Sequence, residues 1–235
     1  MVALNIVEES NARIKDVPSE LVAVFVGSTN GVGETTASSV YHRKVQGGRQ
    51  PNTAFVFIQR DTGLMRNVDA VCNEIRKKEK VVNLLFLSVG TLEVDGKTEE
   101  GLHYASALTI YARNRFITNL LPLLQQAQSL RRVVSVYGAT FEGQIRMDDF
   151  KAASLNPMAK QSHTASVTTL ALEAHHRFAL EVSFVLNFPG SVKSGIDRGS
   201  IGPLMRTLKT IFKSIGAAGG HSAGGSGRPT PLLVY

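Results

Sequence analysis

Four stretches of the chain are apolar at nearly every position, as in strands that a parallel sheet buries on both faces. They are residues 21–26 (LVAVFV), 81–89 (VVNLLFLSV), 133–137 (VVSVY) and 182–187 (VSFVLN). A shorter apolar run, AFVFI, covers residues 54–58. The pattern predicts five strands.

Between these runs the apolar residues recur at helical spacing, as at Val68, Val71 and Ile75. Helices are predicted at residues 34–46, 68–80, 102–129, 163–180 and 204–215. Strands that alternate with helices predict an α/β fold, a doubly wound, mostly parallel, Rossmann-like sheet with helices on both faces. We assign residues 1–215 to this single domain and residues 216–235, rich in glycine, to a low-complexity tail.

The composition narrows the classes of function. The net charge is +7 and the pI about 9.7, but the basic residues are scattered, so nucleic acid is not expected as a partner. The single Cys72 excludes a disulfide framework, and the His175–His176 pair lacks a metal-binding pattern, so no metal is expected. Without a signal sequence or a run of 18 apolar residues, a cytoplasmic protein is expected, with no membrane partner.

The segment GSTNGVG, residues 27–33, follows the first predicted strand and leads into a helix. Its glycines at positions 27, 31 and 33 allow a tight turn and a close approach of the backbone to a ligand. Free N–H groups at the start of the helix then face an anion, as in nucleotide-binding folds. The segment predicts a phosphate-binding loop.

This loop resembles the GxxxGxG signature of the short-chain dehydrogenase/reductase family, in particular fungal members associated with secondary metabolism. LLFLSVG (84–90) is similar to the family's fourth-strand NNAG segment and NRFITNLLPLL (114–124) to its long interface helix. RRVVSVYG (131–138) is similar to its serine-bearing strand, and FPGSVKSGI (188–196) to the segment that closes over the nicotinamide. The resemblance implies a Rossmann-like fold and an NADP cofactor, with NAD as the alternative. It implies the cofactor-binding residues Gly27, Ser28, Thr29, Asn30, Gly31, Val32, Gly33, Asp61, Ser88, Gly90, Lys160, Pro189, Gly190 and Val192.

Two interpretations of AFVFI remain open. In the first it is the family's third strand, with Asp61 touching the adenine, and the second strand is missing because residues 34–53 are too few for a full crossover. His42, Arg43 or Lys44 would then meet a 2′-phosphate. In the second interpretation AFVFI is the second strand, and Arg60 selects NADP by pairing with that phosphate.

The family's catalytic tyrosine and lysine (YxxxK) correspond to Asn156 and Lys160 in NPMAK, so the tyrosine is absent. The serine position falls at Gly138, and the helix asparagine near Thr109. The resemblance therefore leaves the catalytic candidates Lys160, Tyr137, Ser135 and Tyr111. His163 enters if the alignment shifts, although a capping or packing role is the alternative; Lys193 is a further basic candidate beside a phosphate or acid.

The leading hypothesis is an NADP(H)-dependent oxidoreductase that acts on a carbonyl or alcohol of a secondary metabolite, a small-molecule substrate. A cofactor-independent isomerase or cyclase on the same scaffold is the first alternative. A non-catalytic truncated homologue is the second. The family's mode of assembly implies a homodimer through the helices around residues 102–129 and 163–181.

Overall fold

The computed structural model describes residues 21–28, 31–46, 56–91, 96–190 and 232–234. A π-helical segment, Ala107–Ala112, joins two of the helices and carries Thr109. In chain order the other elements are β1 (Ala23–Val26), α1 (Gly31–Gln46), β2 (Phe57–Gln59), α2 (Met65–Lys78), β3 (Leu84–Leu87), α3 (Tyr104–Ser106), α4 (Arg113–Gln126), β4 (Arg132–Val136), α5 (Pro157–Phe178), β5 (Ser183–Asn187) and β6 (Leu232–Val234).

The six strands form one sheet in the order β2-β6-β1-β3-β4-β5. β1, β3, β4 and β5 are parallel neighbours, with Val26, Leu87 and Ser135 aligned near their carboxyl ends. The strand order reverses between β1 and β3, and ligands of open α/β sheets bind at such a point, outside the carboxyl ends of the strands. We call that side the carboxyl edge. The expected α/β fold with a mostly parallel sheet is confirmed.

β6 is an exception to the parallel arrangement, since it pairs antiparallel with β1 on one side and with β2 on the other. β2 therefore lies two strand positions from β1. This is the position that the first interpretation gives to AFVFI, and the adjacent position required by the second is filled by β6. Residues 232–234 of the predicted tail thus contribute to the sheet.

Three helices begin before the predicted residues. α1 begins at Gly31, α2 at Met65 and α5 at Pro157. At α5 the reason is local: Asn156 Oδ1 accepts a hydrogen bond from the Ala159 N–H at 3.0 Å, and proline suits the first helical turn. The predicted helix at residues 204–215 lies outside the described residues.

Apolar side chains cover the two faces of the sheet unequally. The larger core lies between the sheet and α2, α4 and α5, and includes Leu85, Phe116 and Leu120. The smaller lies under α1, where Phe25 and Phe86 pack with ring centroids 5.7 Å apart. Within the described residues, no helix is long and apolar enough to cross a membrane.

The larger core carries most of the packing, so we expect Leu120→Ala to be strongly destabilising. Leu120 is 0% exposed, and a leucine-to-alanine change at such a site costs about 2–5 kcal/mol of unfolding free energy. Leu180→Ala is the matched control, because Leu180 is 74% exposed and its loss costs under about 0.5 kcal/mol. Denaturant unfolding measures both, and equal losses would contradict this assignment of the core.

Candidate functional site

The turn after β1 approaches the end of β3 so closely that it leaves no room for side chains. Gly27 has a φ of +87°, and a Cβ on it would lie 2.5 Å from the backbone nitrogen of Val89. A Cβ on Gly33 would collide with Ser88 Oγ and with the carbonyl oxygen of Gly27. Packing therefore requires both glycines.

Two serine hydroxyls, Ser28 in the turn after β1 and Ser88 at the end of β3, have different surroundings. Ser88 Oγ donates to the carbonyl oxygen of Val26 at 3.0 Å and so joins β3 to β1. Ser28 is only 6% exposed, yet its Oγ has no hydrogen-bond partner among the described residues. A buried hydroxyl without a partner costs about 1–3 kcal/mol. Because Gly31 begins α1 just beyond it, the hydroxyl and the unpaired N–H groups of the first helical turn suit an anionic ligand.

The guanidinium of Arg113 links the carboxyl ends of β3 and β4 by hydrogen bonds. It donates to the carbonyl oxygens of Leu87 and Val89, at 3.2 and 2.5 Å, and to Ser135 Oγ at 2.7 Å. Arg113 is 3% exposed and forms no ion pair with a described carboxylate, and burial lowers its pKa to about 10. The arginine is a fixed, uncompensated positive charge beneath the carboxyl edge.

Ser135 and Tyr137, two of the predicted catalytic residues, both contact Arg113. Ser135 is fully buried and its hydroxyl accepts from the guanidinium, which indicates a structural role. The Tyr137 ring centroid lies 5.6 Å from the guanidinium carbon. Burial raises the pKa of Tyr137, while its hydrogen bond with Thr164 and the charge of Arg113 oppose the rise.

The first turn of α5 brings Lys160 and Gln161 towards the end of β4. Asn156 caps this turn, and the Lys160 N–H donates to its carbonyl oxygen at 2.8 Å. Gln161 approaches Gly138 closely, since a Cβ on that glycine would lie 3.4 Å from Gln161 Nε2. An amide donor therefore lies where a serine at position 138 would project.

His163 is a structural residue in this arrangement. It is fully buried, its Nδ1 accepts from the Arg146 N–H at 3.0 Å, and its Nε2 lies 3.1 Å from the carbonyl oxygen of Phe150. Both ring nitrogens are thus used to hold the loop between β4 and α5. Its packing role, one of the two alternatives above, agrees with these contacts.

Tyr111 lies apart from the other candidates. It lines a surface cavity of about 380 Å³ between α2 and α4, together with Met65, Asn114 and Arg115. Arg115 there forms a two-point ion pair with Asp69, at 2.7 Å for each contact. The fold does not bring Tyr111 to Ser135, Tyr137 or Lys160.

The cofactor residues predicted on other elements lie at or near the same edge. Asp61, just beyond β2, accepts the Gly63 N–H on Oδ1 at 2.8 Å and so shapes the turn into α2. Gly90 contacts Thr109 without crowding, and Gly190, after Pro189, has a φ of +78° with open space around it. Arg60 is exposed and bonds the carbonyl oxygen of Gln59. The predictions at Thr29, Asn30, Val192 and Lys193, and those for the side chains of His42, Arg43 and Lys44, lie outside the described residues.

Sequence patterns missed two contributors to this site. Arg113 sits in an amphipathic stretch of the chain, where a basic residue suggests a solvated face, yet the fold buries it. Gln161 lies next to Lys160 and carried no motif of its own. Cys72 is excluded as a nucleophile, because burial raises its pKa to about 12. The described residues contain no group of three or more metal-ligating side chains.

Fungal oxidoreductases resemble this chain along most of its length. Oxidoreductase AN1596 of Emericella nidulans is 36% identical over 219 residues, covering 83% of this chain and 65% of that protein. Oxidoreductase andH of Emericella variicolor is 33% identical, covering 90% and 69%. The short-chain dehydrogenase/reductase SAT2 of Stachybotrys chartarum is 28% identical, covering 87% and 70%. The chain thus spans about two thirds of the length of these relatives.

The chain belongs to the short-chain dehydrogenase/reductase family. A solved structure, that of the KRED1-Pglu enzyme, shares the fold with a TM-score of 0.59 at 11% identity, covering 86% of this chain and 90% of that one. No family model matches the sequence. As a short-chain dehydrogenase/reductase, the chain has a closely packed glycine turn after β1, whereas Asn156 at the expected tyrosine position serves as a helix cap.

The close packing of this family's glycine turn leads to a prediction for Gly27. Gly27→Ala should lower stability, because its methyl group collides with the backbone of Val89, and should abolish the binding of any dinucleotide that this turn holds. Gly101→Ala is the matched control, since Gly101 also has a positive φ, +79°, but no atom within 4 Å of an added Cβ. Calorimetric titration with NADPH and thermal unfolding measure the two effects. Equal losses in both variants would show that backbone strain alone, and not the contact with Val89, sets the requirement.

Proposed function

We propose that this chain is an NADP(H)-dependent oxidoreductase that interconverts a carbonyl and an alcohol on a secondary metabolite. The observation that carries the proposal is the buried, unpartnered hydroxyl of Ser28 in a glycine turn that leads into α1. Most buried hydroxyls in folded proteins have a hydrogen-bond partner, so the unpaired Ser28 hydroxyl supports a ligand at this turn. A phosphate oxygen is the acceptor that the hydroxyl and the N–H groups of the helix start would share.

The residues of the carboxyl edge suit a dinucleotide laid across it. The turn from Gly27 to Gly33 and Ser28 Oγ would hold the pyrophosphate. Gly90 and Lys160 would border the nicotinamide half, and Asp61 the adenine half. NADP is proposed over NAD because the chain is basic, with a net charge of +7, which favours a phosphorylated cofactor.

The nicotinamide would supply the hydride, and the chain supplies orientation and a proton. Gln161 Nε2, beside Gly138, donates a hydrogen bond to the substrate oxygen and polarises the carbonyl. The proton that completes the hydroxyl comes from Lys160 Nζ and is replaced from solvent. Tyr137 is held by its hydrogen bond with Thr164 and by its contact with the Arg113 guanidinium, and it would line this site. In the direction of alcohol oxidation, Lys160 accepts the proton.

Titration of the purified protein with NADPH and NADH tests the cofactor part of this proposal. We expect micromolar binding of NADPH and weaker binding of NADH. With a panel of aldehydes and ketones, Lys160→Met should lower the rate of NADPH consumption roughly 10²–10⁴-fold, the usual contribution of a proton donor. Lys78→Met, in the last turn of α2, is the control and should keep the wild-type rate. No binding at millimolar NADPH would refute the oxidoreductase proposal, and an unchanged rate in Lys160→Met would remove its proton donor.

A cofactor-independent isomerase or cyclase is the second candidate function. The observation that favours it is Asn156, whose side chain caps α5 and offers no proton at the position of the family's tyrosine. A pocket that only orients and polarises a substrate would need the amide of Gln161 and no hydride. Absence of NADPH binding together with substrate turnover would establish this alternative, and absence of both would leave the non-catalytic homologue.

The homodimer through α4 and α5 is also a proposal, and the structure narrows the surface available for it. Residues 163–168 of α5 are buried within the chain, so apart from its exposed first turn only the second half of the helix is open to a partner. Leu170, Phe178 and Leu180 are exposed apolar residues there or just beyond. We expect Leu170→Arg to convert a dimer to a monomer in light scattering, with Met158→Arg, at the opposite end of α5, as the control. A wild-type monomer would refute this interface.

A further inference from the structure

Two partly exposed aromatic side chains at the carboxyl edge pack against each other. Phe141 follows β4 and Phe188 follows β5, and each is 42% exposed. Their rings pack edge to face with centroids 5.0 Å apart. Partly exposed aromatic side chains that are held in place beside the carboxyl edge of an α/β sheet are typical of ligand pockets, where a few aromatic rings line the wall.

The backbone that presents Phe141 is strained. Thr140 has a φ of +72°, a left-handed conformation that threonine rarely adopts. Tight hydrogen bonds maintain it, from the Phe141 N–H to the carbonyl oxygen of Gly138 at 3.1 Å and from the Ala139 N–H to that of Tyr137 at 3.0 Å. Such strain, about 1–3 kcal/mol, occurs mainly at functional positions.

Residues 141–150, which we call the strap, run along α5 and are fixed there by three side chains spaced three residues apart. His163 holds Arg146 and Phe150, as described above. Ser166 Oγ accepts the Gly143 N–H at 2.8 Å and donates to the Gly143 carbonyl oxygen at 2.7 Å. Thr169 donates to Glu142 Oε1 at 2.9 Å. One face of α5 therefore sets the position of the strap, and with it the position of Phe141.

The two phenylalanines lie on the half of the edge where the proposed chemistry takes place. β4 is two strand positions from β1, or about 10 Å at the usual strand spacing, on the side away from β2. Gly138, next to the amide of Gln161, contacts Phe141: a Cβ on the glycine would lie 3.7 Å from Phe141 Cβ. The amide of Gln161, which would bind the substrate oxygen, thus lies close to the aromatic side chain of Phe141.

We propose that Phe141 and Phe188 form an aromatic wall of the substrate pocket and select flat, unsaturated ring compounds that carry a carbonyl or hydroxyl group. The inference rests on the proposed function only for the place of the substrate. A flat ring stacks on an aromatic side chain better than a puckered saturated ring of similar size. Gln161 then binds the oxygen attached to that ring.

Calorimetric binding of 2-naphthol and of its saturated analogue decahydro-2-naphthol, without cofactor, tests the wall directly. We expect the wild-type protein to bind 2-naphthol more tightly than the saturated alcohol. Phe141→Leu and Phe188→Leu should each weaken 2-naphthol roughly three- to tenfold, the factor typical of one aromatic contact, and leave the saturated alcohol nearly unchanged. Phe178→Leu is the matched control, because Phe178 is exposed at the far end of α5.

Three outcomes would overturn the wall: equal affinity for the two alcohols, no measurable 2-naphthol binding, or equal weakening in Phe178→Leu. The NADPH titration is made on the same samples, so the two proposals fail separately. NADPH binding without discrimination between the alcohols removes the wall and keeps the oxidoreductase. If the preference for 2-naphthol depends on both phenylalanines but NADPH does not bind, the aromatic wall stands and the oxidoreductase proposal is refuted.

The strap provides a second, independent test. Ser166→Ala removes both hydrogen bonds to Gly143 without touching either phenylalanine. If the strap positions Phe141, this variant should weaken 2-naphthol severalfold and leave NADPH affinity unchanged. Thr36→Ala is the control, since Thr36 bonds the Val32 carbonyl oxygen within α1. Unchanged 2-naphthol affinity in Ser166→Ala would show that the strap does not position the wall.

Discussion

The contact between the Gly27 turn and the backbone of Val89 is the constraint on which the carboxyl edge depends. It brings the end of β1 against the end of β3 at van der Waals limits. Val89 in turn offers its carbonyl oxygen to Arg113, and the same guanidinium binds Ser135 on β4. The glycine turn after β1 and the carboxyl end of β4 are therefore connected through a single buried cation. Hydrogen bonds between backbone and side chain, rather than apolar packing, make this connection.

The sequence predicts the central sheet well, because β1 and β3 are buried on both faces and their apolar runs leave little choice of structure. β4 and β5 are less buried, but their apolar runs are bounded clearly enough to be recognised as strands. The helix starts were predicted late, although Asn156 followed by Pro157 is a readable capping signal for α5. β6 could not be predicted: Leu232–Val234 is three residues long, and its pairing with β1 and β2 is a tertiary contact. The same contact distinguishes the two interpretations of AFVFI, which local patterns left open.

The site was less accessible to sequence reasoning than the fold. The glycine spacing located the tight turn between β1 and α1, since backbone geometry demands that residue type wherever such a turn occurs. Whether the side chains of neighbouring helices reach this turn depends on which helix face is turned inwards. Arg113 is buried and Tyr111 lines a surface cavity, as expected for residues two apart on a helix, about 200° around its axis, and the residue types did not indicate which of the two faces inwards. The strap is likewise held by three separate residues of α5, His163, Ser166 and Thr169. No sequence pattern links them, and their shared contact with residues 141–150 is visible only in the folded chain.

The tight glycine turn does not by itself argue for a cofactor. Gly27 and Gly33 would be needed for the packing of β1 against β3 even in a chain that binds nothing, so their presence is explained by stability alone. Ser28 is different, because its buried hydroxyl lowers stability unless an acceptor reaches it. Alanine at that position would remove the cost at once, and the fold has no other use for the oxygen among the described residues. The functional argument therefore rests on one hydroxyl that the packing does not need.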